Sequence, residues 1–349
     1  MPLSREQILS VISQNVPDFS TTSELQPLPG GNLNHVWRLE GKSKSMIIKY
    51  SPPYIASNPE VPLGPKRIHF EARALKLFEK NGPLHIISSD EIRPPHIIFF
   101  NSDLYLLVME DVSTFSEITN WLVDDPGISK VAHTLGRFIG LLHANTFQHE
   151  EFKNAFDNSD IQQTRLKVQY QPAKDYARQS GISNTEYIHS KTVALGRKLR
   201  SPGCCLVMGD LWPPSVLVSN DEIRLIDWEF AHYGHPLQDV AHFAAHCWMQ
   251  AHVSPKEKKP KYRDLWEGFW ETYQEATGES FSHLFDEEAF NDAATHIGAE
   301  ILVRAAGPFK DGYVYQGLSR SHTLIREAGL KAQSLILAND FSSLWQSMK

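Results

Sequence analysis

Val207-Met208-Gly209-Asp210-Leu211-Trp212-Pro213-Pro214-Ser215-Val216-Leu217-Val218-Ser219-Asn220-Asp221-Glu222-Ile223-Arg224-Leu225-Ile226-Asp227-Trp228-Glu229 is the stretch whose reading decides the fold. Two short apolar runs, Val216-Leu217-Val218 and Ile223-Arg224-Leu225-Ile226, flank the turn-forming Ser219-Asn220-Asp221, the pattern of a β-hairpin. Asp210 lies in the loop entering the hairpin, and Asp227 and Glu229 lie just past its exit. A two-stranded ribbon brings its outer ends together, so the pattern predicts three converging carboxylates. Such a cluster repels itself unless a cation or a proton sits within it. Asp-x-Glu on an extended segment turns both side chains to one face, which suits two oxygens gripping one hard divalent ion. Asp210 is then left to accept a proton, and that division of labour is what phosphoryl transfer requires. The alternative for these residues is a hairpin with ordinary solvated acids at its ends.

The bulk properties leave room for this chemistry. A chain of 349 residues is long enough for two domains with ample core. A net charge of −7 argues against nucleic acid as the main partner. Cys204, Cys205 and Cys247 form neither a disulfide framework nor a paired metal spacing, which predicts a reducing compartment, with the adjacent pair as small buried groups. The start, Met1-Pro2-Leu3-Ser4-Arg5, has no apolar core of signal-peptide type, and no apolar run approaches spanning length. The expectation is a soluble cytoplasmic protein with no membrane partner.

Ser4-Arg5-Glu6-Gln7 is a capping box followed by Ile8, Val11 and Ile12 at helical spacing, so a short opening helix is predicted. Gly30-Gly31-Asn32 then forms a turn running into an alternating strand through Val36-Trp37-Arg38-Leu39. Adjacent glycines let backbone approach a phosphate, although such turns also occur in any hairpin. Gly41-Lys42-Ser43 is read as a hairpin turn and not as a phosphate-binding Walker loop, because Val36 stands where that motif needs Gly. Lys49 emerges from the apolar run Met46-Ile47-Ile48; on its own it would read as a snorkelling edge residue. A helix marked by Phe70, Ala74, Leu77 and Phe78 follows, with Glu71 beside its apolar stripe as a candidate partner for Lys49. A strand lysine paired with a helix glutamate is a device for holding α- and β-phosphates.

Further on, Phe99-Phe100 and Leu104–Met109 flank Asn101-Ser102-Asp103, a second hairpin ending at Glu110-Asp111-Val112. Val131, Leu135, Phe138, Ile139 and Leu142 define a core helix. Residues 148–201 read as helical but carry little signal. His242 and His246 are four apart, a zinc-compatible spacing that is rejected for want of a third ligand. The basic run from Lys256 to Arg263, broken by Pro260, reads as a solvated loop, and Leu265, Phe269 and Tyr273 read as an aromatic helix face.

These motifs together resemble the aminoglycoside phosphotransferase and methylthioribose kinase family of small-molecule kinases, which have a protein-kinase-like fold. The match rests on Gly209-Asp210-Leu211, Asp227-x-Glu229 with Phe230–Gly234, and, towards the N-terminus, Gly31–Asn34, Lys49, Pro53-Tyr54, Arg67 and Phe70-Glu71-Ala72. The resemblance implies that Gly30, Gly31, Asn32, Lys49 and Glu71 bind nucleotide, and that Met109, Glu110 and Val112 form an adenine-binding hinge. It implies Asp210 as the catalytic base, Asp227 and Glu229 as Mg²⁺ ligands with Ser215 as a helper, and Asp239 as a brace for the catalytic loop. Trp212, Trp228, His235 and Arg304 are the candidates for the acceptor site. The chain departs from the family at Met208 and Trp212, where histidines are usual, at Val303, where a second arginine is usual, and in a glycine-poor phosphate loop.

The expected architecture is therefore α+β and bilobal, with a β-rich N-lobe at 1–110 and a mainly helical C-lobe at 111–349. The expected activity is ATP- and Mg²⁺-dependent phosphorylation of a hydroxyl on a small molecule, by a monomer or homodimer. A non-catalytic nucleotide-binding scaffold is the alternative, although it would have no need of three carboxylates. A protein kinase is disfavoured by the lack of His-Arg-Asp, Asp-Phe-Gly and Ala-Pro-Glu. The acceptor stays open among a sugar, an amino alcohol, an aminoglycoside-like antibiotic and a specialised metabolite.

Overall fold

The computed structural model describes residues 3–28, 33–122, 127–220 and 222–348. Gly30, Gly31 and Asn32, expected to cradle phosphate, and Asp221 of the hairpin turn lie outside the described residues. By internal contacts the chain forms one unit from Met1–Ser116 with Arg224–Phe230, and a second from Glu117–Ile223 with Ala231–Lys349. The segment carrying Asp227 and Glu229 thus belongs with the N-terminal unit, a return that a single cut near residue 110 does not anticipate.

In the first unit, the helix Arg5–Asn15 is closed at its N-terminus by the expected box. Ser4 Oγ accepts from Gln7 N at 3.2 Å, and the Gln7 side chain accepts from Ser4 N at 2.8 Å. Ile8 and Ile12 bury against an antiparallel sheet whose strands run in the order Gln26–Pro27, His35–Glu40, Ser45–Tyr50, Leu106–Glu110 and Ile97–Asn101. Glu40 pairs with Ser45, so Gly41-Lys42-Ser43 lies in a hairpin turn as expected. The Leu104 strand begins two residues late, at Leu106, because Tyr105 takes φ 51° and Asn101 Oδ1 caps the amides of Asp103 and Leu104. Ser45–Tyr50 is central in the sheet and buried from Met46 on, which carries Lys49 inside with it. The helix Arg67–Phe78 turns Ile68, Glu71, Ala72, Leu75 and Phe78 inward.

The second unit is mainly helical, built on Ile128–Thr146, Leu237–Val253, Lys259–Thr277, Glu287–Ala305 and Thr323–Ala338. Ile128–Thr146 crosses Lys259–Thr277 so closely that a Cβ on Gly136 would lie 2.2 Å from the Phe269 carbonyl oxygen. The basic run is not the expected loop. Its second half starts the helix Lys259–Thr277, with Pro260 in the first turn, where a missing N–H leaves no helical hydrogen bond unmade. The signal-poor region 148–201 contributes Glu150–Ala155, Ser159–Arg165, a π-helical turn Leu166–Tyr170, Ala173–Gln179 and Thr185–Lys198. Cys205–Val207 pairs antiparallel with His232–Gly234; Cys205 is buried and Cys204 only partly so. The two strands of the deciding stretch form as Val216–Ser219 and Glu222–Leu225, and Asn220 takes the left-handed φ of 47° that a tight turn needs. Among the described residues, no helix is long and apolar enough to cross a membrane.

Candidate active site

Lys49 is the centre of the first unit's polar cluster. Its ammonium reaches Glu71 Oε2 at 2.9 Å, Asp227 Oδ1 at 2.8 Å and Glu229 Oε1 at 3.8 Å. Burial alone would lower the lysine pKa; the fields of Asp227, Glu229 and Glu71 outweigh it and hold the group well above its ordinary value. Burial also raises the Glu71 carboxyl, to about 7, against the pull of Lys49. Arg67, which opens the Glu71 helix, fixes the remaining member. Its Nε donates to Asn34 Oδ1 at 3.1 Å and lies 3.4 Å from Glu229 Oε2, which also accepts from Asn34 Nδ2 at 2.6 Å. The Arg67 guanidinium further donates to the carbonyls of Leu33 (2.7 Å) and Gly64 (2.8 Å), tying the segment after the glycine turn to the helix.

Asp227 and Glu229 do not sit on an extended segment. Asp227 takes φ 65°, and Trp228–Phe230 is a single 3₁₀ turn. The two carboxylates still meet at Lys49, through a left-handed kink and not through strand alternation. That kink buries the intervening residue. Trp228 is fully buried, its ring centroid 5.1 Å from that of Phe78 and its Nε1 donating to the Leu225 carbonyl. Trp228 is thus core, with no face left for an acceptor, which corrects its placement in the acceptor site.

In the segment expected to form a hinge, Met109 and Val112 are buried. The amide of Glu110 already donates to the His96 carbonyl at 2.9 Å, and its carboxylate is gripped by both terminal nitrogens of Arg93. The Glu110 amide and carboxylate are thus both engaged within the first unit.

In the second unit, Asp210 stands in a loop held from two sides. Asp239, in the first turn of Leu237–Val253, accepts from the amides of Met208 (2.8 Å) and Gly209 (2.7 Å), while His143 Nε2 lies 3.1 Å from its carboxylate. Gly209 adopts φ 82°, open to glycine and strained for other residues, which sets the bend before Asp210. Ser215 closes the loop: its hydroxyl contacts the carbonyls of Asp210 (3.1 Å) and Trp212 (2.8 Å) and accepts from the Trp212 amide at 3.2 Å. Ser215 is fully buried and so engaged, which makes it a brace of the loop.

Asp210 Oδ1 accepts from Arg165 Nη2 at 2.8 Å and lies 3.3 Å from His242 Nε2. Burial would raise this carboxyl; His242 and Arg165 overturn that and hold it below the usual carboxylate range. Nearby, Glu300 Oε1 accepts from Arg304 Nε at 2.7 Å and lies 3.1 Å from His246 Nε2. Glu300 is held well below its ordinary pKa despite burial, by His242, Arg304 and the His246 hydrogen bond, and burial pushes His246 down to about 3. The Arg304 guanidinium stacks 4.4 Å from the Trp212 ring centroid, with Phe309 and Tyr313 at 5.2 and 5.5 Å. Trp212 and Arg304 thus meet. His235 does not join them: its charged neighbours are Lys198, Asp292, Glu288 and Asp286.

Arg165, His242, His296 and Glu300 were not legible as site residues. Arg165 sits in a stretch with no recognisable motif, Glu300 opens the stretch resembling the family in which Arg304 is the residue singled out, and the His242–His246 spacing by itself reads only as a zinc possibility. The structure does supply the third ligand the spacing lacked, since donor atoms of His242, His246 and Glu300 all lie within 4.8 Å of one another. Arg304 shares the Glu300 oxygen, so the cluster is already a hydrogen-bonded network beside a buried cation.

A model described as the phosphotransferase enzyme family matches residues 24–276, most of the chain, and the protein belongs to that family. The chain is 25% identical over 268 residues to the 4-hydroxytryptamine kinase of Psilocybe cyanescens, covering 71% of this chain and 74% of that one. It is 28% identical over 310 residues to the methylthioribose kinase of Bacillus mycoides, covering 79% and 77%. Among solved structures, the choline kinase of Cryptosporidium parvum superposes with a TM-score of 0.56 at 13% identity, covering 99% of this chain and 98% of that one, a likeness of fold. The fold is accordingly the kinase-like α+β arrangement expected, and the protein is a phosphotransferase.

Proposed function

We propose that the protein transfers the γ-phosphoryl group of ATP, with Mg²⁺, to a hydroxyl of a small molecule. The observation that carries this reading is the Lys49 cluster. A lysine fixed by Glu71 beside an acidic pair is the arrangement that binds nucleotide phosphates in kinases. The donor set also fits the metal: Asp227 and Glu229 offer hard carboxylate oxygens, and the Asp227 side chain is 44% exposed. Asp227 and Glu229 are the carboxylates of this cluster that a divalent ion would take up, with Lys49 and Arg67 beside them. Mg²⁺, when bound, supplies neutralisation of charge on the phosphate oxygens.

Asp210 is the candidate base. Anchored at Oδ1 and held ionised, it accepts the proton of the attacking hydroxyl. Arg304 with Trp212 is proposed to line the acceptor site. Retention of Lys49, Glu71, Asp210, Asp227 and Glu229, together with relatives named as kinases, supports catalysis over a scaffold role. Free cysteines and a need for ATP fit the cytoplasm.

The test has two parts. Calorimetric titration with ATP is expected to show Mg²⁺-dependent binding that weakens at least tenfold in Lys49→Ala and Asp227→Ala. Mass spectrometry of reactions with methylthioribose, 4-hydroxytryptamine, choline and aminoglycosides is expected to show an acceptor gaining one phosphate. Equal ATP affinity with and without Mg²⁺ in all three proteins would refute the nucleotide assignment.

A further inference from the structure

We propose that His242 is a positioning residue that holds Asp210 at the end of a run of buried, contacting side chains rising from Tyr170; this rests on reading Asp210 as the base. The chain is contained in the second unit and runs through buried groups. Tyr170 Oη lies 2.7 Å from His296 Nδ1, His296 Nε2 lies 3.3 Å from His242 Nδ1, and His242 Nε2 lies 3.3 Å from Asp210 Oδ1. Tyr170 belongs to the π-helical turn that follows Arg165, so one local irregularity places both Arg165 and the start of the chain.

The polarity of the chain follows from its ends. Burial raises the Tyr170 phenol far above neutrality, so it keeps its proton and donates. Burial lowers His296 well below its ordinary value, so its ring is neutral with one N–H. With Nδ1 accepting from Tyr170, the His296 proton sits on Nε2 and points at His242 Nδ1. In the proposed tautomer, His242 Nδ1 accepts from His296 and the His242 proton sits on Nε2. That buried nitrogen makes no hydrogen bond of good geometry among the described residues, and the carboxylate oxygen it faces is Asp210 Oδ1 at 3.3 Å, while Glu300 Oε2 is 3.9 Å from the opposite ring nitrogen.

Arg165 and His242 therefore both address Oδ1 of Asp210. The other oxygen, Oδ2, is assigned as the one that accepts the proton. Fixing one oxygen orients the other, which is how a base is kept within hydrogen-bond reach of its target.

The decisive test is the tautomer of His242 in the full chain labelled with ¹⁵N-histidine, its signals assigned by their loss in His242→Gln. The expected result is a protonated Nε2 and an unprotonated Nδ1, with the Nε2 signal moving in Asp210→Asn and a second tautomer appearing in Tyr170→Phe. A proton on Nδ1, or an Nε2 signal indifferent to Asp210→Asn, would overturn the proposal. With an acceptor from the panel, His242→Leu should lower kcat roughly 10- to 100-fold at nearly unchanged KM, and His242→Gln, which keeps a donor, should recover most of it. A His242→Leu effect confined to KM would also overturn it. If Asp210→Ala leaves turnover intact, the base assignment itself fails, and the tautomer result still decides whether the chain exists.

Discussion

Lys49 shows what a single residue's sequence context does and does not disclose. A lysine in the apolar run Met46-Ile47-Ile48 is costly to bury unless paired, and a helix with a glutamate beside its stripe follows, so the Lys49–Glu71 pair was legible. Its contact with Asp227 depends on a chain segment 178 residues away and on a left-handed backbone that no pattern announces. Lys49→Met should destabilise the protein by about 3–5 kcal/mol in chemical denaturation, chiefly because it leaves the buried Glu71 without its cation while Asp227, half-exposed, loses its partner too. An unchanged denaturation midpoint would show that the cluster is not held by this ammonium. The buried histidines make a second prediction. His246 is lowered to about 3, and His296, His235 and His252 are also lowered, each chiefly by burial. Unfolded, these rings take up protons near pH 6.5; folded, they do so only at lower pH. The unfolded state therefore binds more protons in between, and stability falls as pH drops below about 6.5. Melting temperatures between pH 7.5 and 4.5 should decline for the native chain and decline less steeply for His246→Gln.

Elements were legible where periodicity or capping was strong, as in Arg5–Asn15 and Ile128–Thr146, and not where a tertiary demand overrode local pattern. The basic run became a helix because Pro260 falls at its start and Tyr262, Leu265, Trp266 and Phe269 bury behind it. That helix meets Ile128–Thr146 at Gly136, where a side chain would enter the Phe269 carbonyl. Gly136→Ala is expected to cost roughly 1–3 kcal/mol by forcing the helices apart, measured by urea denaturation. Full native stability would mean that the crossing is looser than described. The loop from Asp210 to Ser215 offers a second check at this scale. Ser215→Ala removes the hydroxyl that closes the loop, so it should lower kcat while leaving the Mg²⁺ dependence of ATP binding unchanged. A lost Mg²⁺ dependence would mark Ser215 as a metal ligand.

On the scale of the whole molecule, the sequence indicated a β-rich N-terminal part and a mainly helical C-terminal part, because most of the strand-like runs fall before residue 110 and most of the helical spacing after it. The return of Arg224–Phe230 to the first unit was hidden, since it depends on three-dimensional packing of Trp228 against Phe78. The same holds for the second unit's network, whose members Arg165, His242, His296 and Glu300 are scattered over 136 positions without a shared motif. Ligand linkage extends the account to the entire chain. ATP with Mg²⁺ at about 100 times its Kd should stabilise the protein by about 2.7 kcal/mol, and Asp227→Ala should lose most of that gain in a thermal shift assay.

The most direct measurement is acceptor-dependent release of ADP from ATP and Mg²⁺, run side by side on the native chain and Asp210→Ala with the panel of hydroxylated small molecules. The account predicts turnover with at least one acceptor and a loss of about 10²-fold or more in Asp210→Ala, with ATP binding preserved. Undiminished turnover in Asp210→Ala would contradict it.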